Sequence, residues 1–236
     1  MLPENVAEAD GLTFCVVKPN FALNSQAIQL DPGLPSQLLE TGYVVLTSDS
    51  IFVPEAFCPA FVRLKQRYDH LQQQPMEMEN VPAYFRERCA EVHNHELGPG
   101  DCEAVLPEDD FALNLVRAVV KVLPGYDRTK TYPVSWMLTR HRRSVPAMPL
   151  HRDHVGWLVQ FNISRTSGVQ GGSIIVANSR GGVVEAKVLV LPLEGYILYD
   201  QEFLHGTTAL QMGRELEDHR DVIIIRIPLL TDISSA

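Results

Sequence analysis

The chain has 236 residues, 45% of them apolar, and a formal net charge of −9. That length and apolar content suit one domain with a real core and argue against a disordered chain. The negative charge disfavours a nucleic-acid partner, whose phosphates demand a basic surface; the basic run Arg140-His141-Arg142-Arg143 is short.

The four cysteines, Cys15, Cys58, Cys89 and Cys102, show no C-x-x-C spacing. A zinc knuckle or dithiol redox site is therefore not expected, and a reducing, cytoplasmic setting is. The first residues have neither a basic nor an apolar region, so no signal peptide is read there. No apolar stretch approaches membrane-spanning length, so no membrane partner is expected.

Residues 12–17 read as a strand within a mixed beginning. Residues 35–42 read as a short helix, with Pro35 in its first turn and Gly42 as its end signal. Residues 43–46 follow as a strand. Over 54–74, Phe57, Phe61, Leu64, Tyr68 and Leu71 recur at spacings of four and three, the pattern of one helix face. Pro54 suits its first turn. Residues 75–107 have little periodicity and read as an irregular segment, of the kind that serves as a lid or binding loop. A further helix is expected over about 108–123: Asp109 and Asp110 suit the dipole at its start, and Pro124-Gly125 stops it.

From residue 131 the pattern changes to strands. Residues 134–140 form one. Trp157, Val159, Phe161 and Ile163 alternate with Leu158, Gln160 and Asn162, as in a half-buried strand. Further strands are expected at 173–177, 183–185, 187–191, 195–199 and 221–229, with glycine turns at 168–172 and 178–182. Short strands at regular spacing suggest a sandwich or jelly roll. The expected organisation is one domain, 1–236. About 1–130 would give helical and loop support, and about 131–230 the β core.

The chemistry centres on His151-Arg152-Asp153, His205 and Arg220. In a strand, residues two apart share a face, so His151 and Asp153 would stand side by side. His205, just after the apolar run 195–199, can return to the same place. Two imidazoles and one carboxylate on one face of a metal leave the other face open, the facial triad of non-haem Fe(II) oxygenases. Arg220 opens the next apolar run, and its planar fork suits the far carboxylate of a dicarboxylic co-substrate. Arg226 is a rival for that anion, but its expected place is a surface or sheet-end position. His93-x-His95 has same-face spacing too, yet its surroundings read as loop and no metal role is expected. His154 would face the other side of the strand from Asp153.

From about residue 134 to 230 the sequence resembles the Fe(II)/2-oxoglutarate-dependent dioxygenases, and more narrowly the group that includes L-isoleucine 4-hydroxylase. The residues that carry this are 151–153, 160–162, 171–179, 203–205 and 220–223; residues 39–43 and 84–88 resemble that group more weakly. The resemblance implies a mainly β double-stranded β-helix with flanking helices. It also implies Fe(II) on His151, Asp153 and His205, and 2-oxoglutarate on Arg220, with O₂ as oxidant. Many relatives carry a hydroxyl residue two after the arginine, where this chain has Val222. The expected substrate is a free L-amino acid. Arg86 or Arg88 would meet its carboxylate and Glu87 or Glu91 its ammonium, with Tyr84 and Trp157 as pocket walls; for Trp157 packing in the core is the alternative, and the favoured one. Two other readings stay open: a zinc hydrolase using the same three ligands with a water, and a non-catalytic jelly-roll binding module. Oligomeric state is also open, a homo-oligomer included.

Overall fold

The computed structural model describes residues 6–9, 12–15, 27–71, 89–103, 110–215 and 217–229. Val6–Ala9 (β1) pairs antiparallel with Leu12–Cys15 (β2). Gln29–Leu30 (β3) leads into helix α1, Leu34–Thr41, which carries Pro35 in its first turn. Gly42 ends α1 at φ 73°, its N–H on the Leu38 carbonyl. A Cβ there would stand 2.6 Å from the Phe203 ring, so backbone conformation and space both require glycine.

Tyr43–Leu46 (β4) follows, and Ile51–Phe52 (β5) pairs with β3. The helix expected from residue 54 starts later. Glu55–Phe57 is a 3₁₀ turn, and α2 runs Cys58–Asp69 with Pro59 in its first turn. Phe61, Leu64 and Tyr68 form its buried face. Helix α3, Phe111–Val122, is capped by Asp110, whose carboxylate accepts the Leu113 N–H at 2.9 Å. Asp110 thus satisfies an orphan donor rather than occupying the first turn.

The segment 75–107 was expected to be irregular, yet Cys89–Leu97 (β6) is a nine-residue strand. It is the edge strand of a sheet. Polar residues on both of its faces hide the alternation that would announce it. The remaining strands are Tyr132–His141 (β7), Met148–His151 (β8), Trp157–Arg165 (β9), Gln170–Gly171 (β10), Ile174–Ala177 (β11), Val183–Lys187 (β12), Gly195–Tyr199 (β13), Leu204–Thr207 (β14), Leu210–Gln211 (β15) and Arg220–Ile227 (β16).

Six strands form an antiparallel sheet in the order β4-β13-β9-β16-β7-β6, and four form a second in the order β12-β11-β14-β8. The large sheet thus takes β4 and β6 from before residue 131. One of its faces, with Val159, Phe161, Ile197 and Ile223, packs on the helices in the main core. Its other face gives Leu158, Tyr196 and Leu198 to a smaller core shared with Ile174 and Val176 of the four-stranded sheet. Two facing antiparallel sheets with helices on one side make a double-stranded β-helix, mainly β with flanking helices. Strand β9 is therefore covered on both faces, Trp157 to Ile163 all buried, rather than half-buried.

The strand expected over 187–191 ends at Lys187. Its backbone groups are satisfied by side chains instead of a ladder: Glu194 Oε2 accepts the N–H groups of Val190 and Leu191 at 2.8 and 2.9 Å. The Asn162 amide donates to the carbonyls of the same two residues at 3.1 Å each. Paired backbone needs no neighbouring strand.

Candidate active site

Strands β8 and β14 pair antiparallel, with His151 and His205 as register partners. Cross-strand partners bring side chains together, and the two rings lie 4.2 Å apart between centroids. Asp153 does not continue the strand. β8 ends at His151, and residues 152–155 are loop. That loop is pinned to the 200–203 turn. The Arg152 guanidinium donates to the carbonyls of Phe203 and Glu202, and Asp200 Oδ2 accepts the Val155 N–H at 3.1 Å. His154 sits at φ 58° and is exposed, so it takes no part in a strand face. The loop returns Asp153 to the histidines, with Oδ1 3.4 Å from His151 Nε2. One ligand atom from each of His151, Asp153 and His205 lies within 4.8 Å of the others.

Both imidazoles are backed by an oxygen acceptor. His151 Nδ1 is 2.9 Å from the Pro149 carbonyl, which leaves Nε2 toward Asp153. His205 Nδ1 faces Asp200 Oδ1 at 3.3 Å, an ion-pair distance at an angle outside hydrogen-bond geometry. A carboxylate behind a ligating histidine fixes ring orientation and raises ligand basicity. Burial pushes the Asp200 carboxyl up, but His205 and neighbouring backbone N–H groups outweigh it, so Asp200 is held below the usual range. The Asp153 carboxyl is lowered far more, first by His151 and then, against burial, by Arg226 and His205. His151 is raised in turn, chiefly by Asp153.

Arg220, the first residue of β16, opens into a cavity between the two sheets, lined also by Met148, Gln160, Thr207, Val222 and Ile224. Met148 and Thr207 are the next register pair along from His151 and His205. Arg220 Nη1 donates to the Gly172 carbonyl at 3.2 Å, while Nε and Nη2 find no acceptor. Burial, reinforced by the Arg165 charge, pushes this guanidinium down to about 10. Gly172 makes room for it: at φ 65°, an added Cβ would lie 3.0 Å from Arg220 Nη1 and 2.5 Å from Leu210.

The sequence profile of the 2OG-Fe dioxygenase family matches residues 109–226, half of the chain. The chain belongs to that family. Fe(II) and 2-oxoglutarate are thus the metal and co-substrate of this dioxygenase. The residues present fit both. Two nitrogens and an oxygen suit Fe(II), and a buried guanidinium with two unpartnered donors suits an anion that enters with its own acceptors.

Solved structures share the dioxygenase's fold. IDO from Bacillus thuringiensis matches with a TM-score of 0.64 at 14% identity, over 83% of this chain and 93% of that one. A BsmA homologue from Methylobium petroleophilum PM1 gives 0.64 at 17%, over 83% and 91%. The Fe(II)/α-ketoglutarate-dependent dioxygenase TqaL gives 0.60 at 12%, over 83% and 85%. At such identities the likeness is one of fold. No curated protein sequence matches the chain.

Tyr84, Arg86, Glu87 and Arg88 lie outside the described residues. Trp157 does not line the site: it belongs to the helix-side core and packs on Tyr199, ring centroids 5.0 Å apart. Leu158, one residue on, faces the smaller core instead. Glu91 is paired with Arg67 of α2 and with His93, so it is committed to the helix–sheet contact. His93 stacks on Trp136 at 5.2 Å and His95 meets the same ring edge-on at 6.5 Å. Among the described residues the one metal-competent group is His151, Asp153 and His205. Arg226 is not a bystander at the sheet end, since it grips Asp153 Oδ2. Asp200 was missed in sequence because an acid in a Tyr-Asp-Gln turn carries no spacing signal.

Among the described residues no helix is long and apolar enough to cross a membrane.

Proposed function

We propose that this dioxygenase, working as a single catalytic domain, hydroxylates an unactivated C–H bond of a free L-amino acid or close derivative. His151, Asp153 and His205 hold Fe(II) in this reading, and Arg220 holds the C5 carboxylate of 2-oxoglutarate. The observation that carries it is the pairing of a three-residue cluster with a buried arginine that lines the neighbouring cavity and has two unpartnered donors. The family match over residues 109–226 disfavours a zinc hydrolase or a bare binding module, and a dicarboxylic co-substrate gives that arginine a partner. The amino-acid substrate is supported by the likeness of residues 160–162 and 171–179 to the isoleucine 4-hydroxylase group. The fold shared with IDO, an isoleucine dioxygenase, points the same way.

When bound, the iron and 2-oxoglutarate supply an oxidant able to break a C–H bond, with succinate and CO₂ released. The chain's part is placement. Asp200 and the Pro149 carbonyl hold the imidazoles with Nε2 forward. Arg220 fixes the co-substrate's far end through a charge-assisted contact. Leu158, Val222 and Ile224 give the inner wall an apolar lining that excludes water. Arg86, Arg88 and Tyr84 remain the candidates for meeting the substrate.

The test is succinate release from 2-oxoglutarate with Fe(II) and a panel of free amino acids, products followed by mass spectrometry. One member of the panel is expected to gain one oxygen atom; loss of two hydrogens would mean desaturation or ring closure. His205→Ala is expected to abolish turnover. Full turnover in that variant would remove the ligand assignment, and turnover with no amino acid of the panel would remove the substrate class.

A further inference from the structure

Two of the arginine–aspartate pairs among the described residues are of opposite design. Arg140 takes both oxygens of Asp221, Nε to Oδ1 at 2.6 Å and Nη2 to Oδ2 at 2.7 Å. That is the bidentate, fork-on-fork arrangement, which uses up both carboxylate oxygens. Arg226 does something else. Its Nε and Nη2 both donate to one oxygen of Asp153, Oδ2, at 3.1 and 3.0 Å. The other oxygen, Oδ1, is left facing His151 Nε2. The two oxygens of one carboxylate are thereby sorted, one to Arg226 and one to His151.

The sorting matters because of where Asp153 sits. It is in a loop, not in the ladder that fixes His151 and His205. The backbone on either side is held through Arg152 and Val155, but those contacts leave the carboxylate itself free to turn. A carboxylate on a metal can bind through one oxygen or through both. Both would use a position that the co-substrate or O₂ needs. Arg226 comes from β16, on the same strand face as Arg220, and reaches Asp153 across the space between the sheets. Its guanidinium is planar and presents its donors in a fixed fork, so two of them can meet one oxygen together.

We propose that Arg226 is a positioning residue that holds Asp153 to metal ligation through Oδ1 alone. This rests on the assignment of His151, Asp153 and His205 as the metal ligands. The role asks for two donors on one oxygen, which the geometry supplies, and it accounts for the contrast with Arg140.

Co(II) titrated into the metal-free protein tests it, with visible absorption reporting both affinity and coordination number. Arg226→Met is expected to weaken Co(II) binding by about 10- to 100-fold, the usual cost of losing a partner behind a metal ligand, and to alter the absorption band. A role confined to stability would shift the melting temperature and leave the band of the folded fraction unchanged. Should the methionine variant fail to fold, Arg226→Gln is read in the same way. His205→Ala separates the two claims. If it binds Co(II) as tightly as the wild type, the ligand set is wrong and this role falls with it. If it loses Co(II) while the Arg226 variant keeps wild-type affinity and band, the role of Arg226 alone is overturned.

Discussion

Arg220 is a guanidinium at 4% exposure with two donors facing no acceptor. Burying such a charge is costly unless something pairs with it. Because its folded value is pushed down to about 10, the charged form is disfavoured by folding, and the cost is present at every pH below that value. A site that stores this cost for a ligand trades stability for function. Arg220→Met is therefore expected to raise the melting temperature of the metal-free, co-substrate-free protein. A gain of about 1 kcal/mol corresponds to roughly 2–4 °C for a domain of this size. The same variant is expected to lose the stabilisation that 2-oxoglutarate gives the metal-loaded wild type, which reaches about 2.7 kcal/mol at a hundredfold excess over Kd. Differential scanning fluorimetry with and without 2-oxoglutarate checks both. A lower melting temperature in the unliganded variant would show that the Gly172 contact outweighs the unpaired charge.

At the scale of elements, the fold is tied together by a few polar contacts buried among apolar ones. Arg140 on β7 and Asp221 on β16 are register partners whose side chains meet on the helix side of the sheet. The third donor of Arg140 reaches Asp69 at the end of α2, and the buried Tyr68 hydroxyl donates to the Val222 carbonyl at 2.8 Å. Helix, sheet and the strand bearing Arg220 are thus locked at one corner. Removing one partner of a buried pair strands the other, at about 3–5 kcal/mol. Arg140→Met leaves Asp221, which is fully buried, with Ser164 and His219 as its remaining neighbours. Chemical denaturation is expected to show a loss of that order with an unchanged m-value. A loss below 1 kcal/mol would mean that Ser164 and His219 suffice. The Glu194 and Asn162 clamp on residues 190–191 works at this scale too, and explains why residues 188–191, which look like a strand in sequence, are not one.

At the scale of the whole molecule, stability at low pH depends on carboxylates held by arginines from distant parts of the chain. Arg67 lowers Glu91 against some burial, and Arg140 lowers Asp69. A carboxylate with a depressed folded value contributes stability that is fully present above its unfolded value and is lost as pH falls through the folded one. The ordinary values are 4.5 for glutamate and 3.8 for aspartate. These two contributions are therefore intact at neutral pH and fade below about 4.5. Melting temperatures measured from pH 7 down to 3 should fall in that lower window, and Glu91→Gln should make the fall shallower. An identical slope in that variant would show that the Arg67 contact is too solvent-screened to matter.

Composition and periodicity determined what depends on neighbours in the chain. The face of α2 follows from the three-and-four spacing of Phe57 to Leu71, the end of α1 from Gly42, and the β-rich half from alternation and glycine turns. The residue types of the candidate metal site were also visible, because two imidazoles and a carboxylate are chemically distinctive. Tertiary structure decided what depends on partners far away. Cys89–Leu97 becomes a strand because β7 lies beside it, and Trp157 goes to the core because the sheet is covered on both faces. Asp153 meets the histidines from a loop pinned to residues 200–203, Arg226 reaches it from β16, and Asp200 meets His205 from the turn before β14. Periodicity is a local property of one chain segment, whereas register, coverage and charge pairing are relations between segments, which no single stretch encodes.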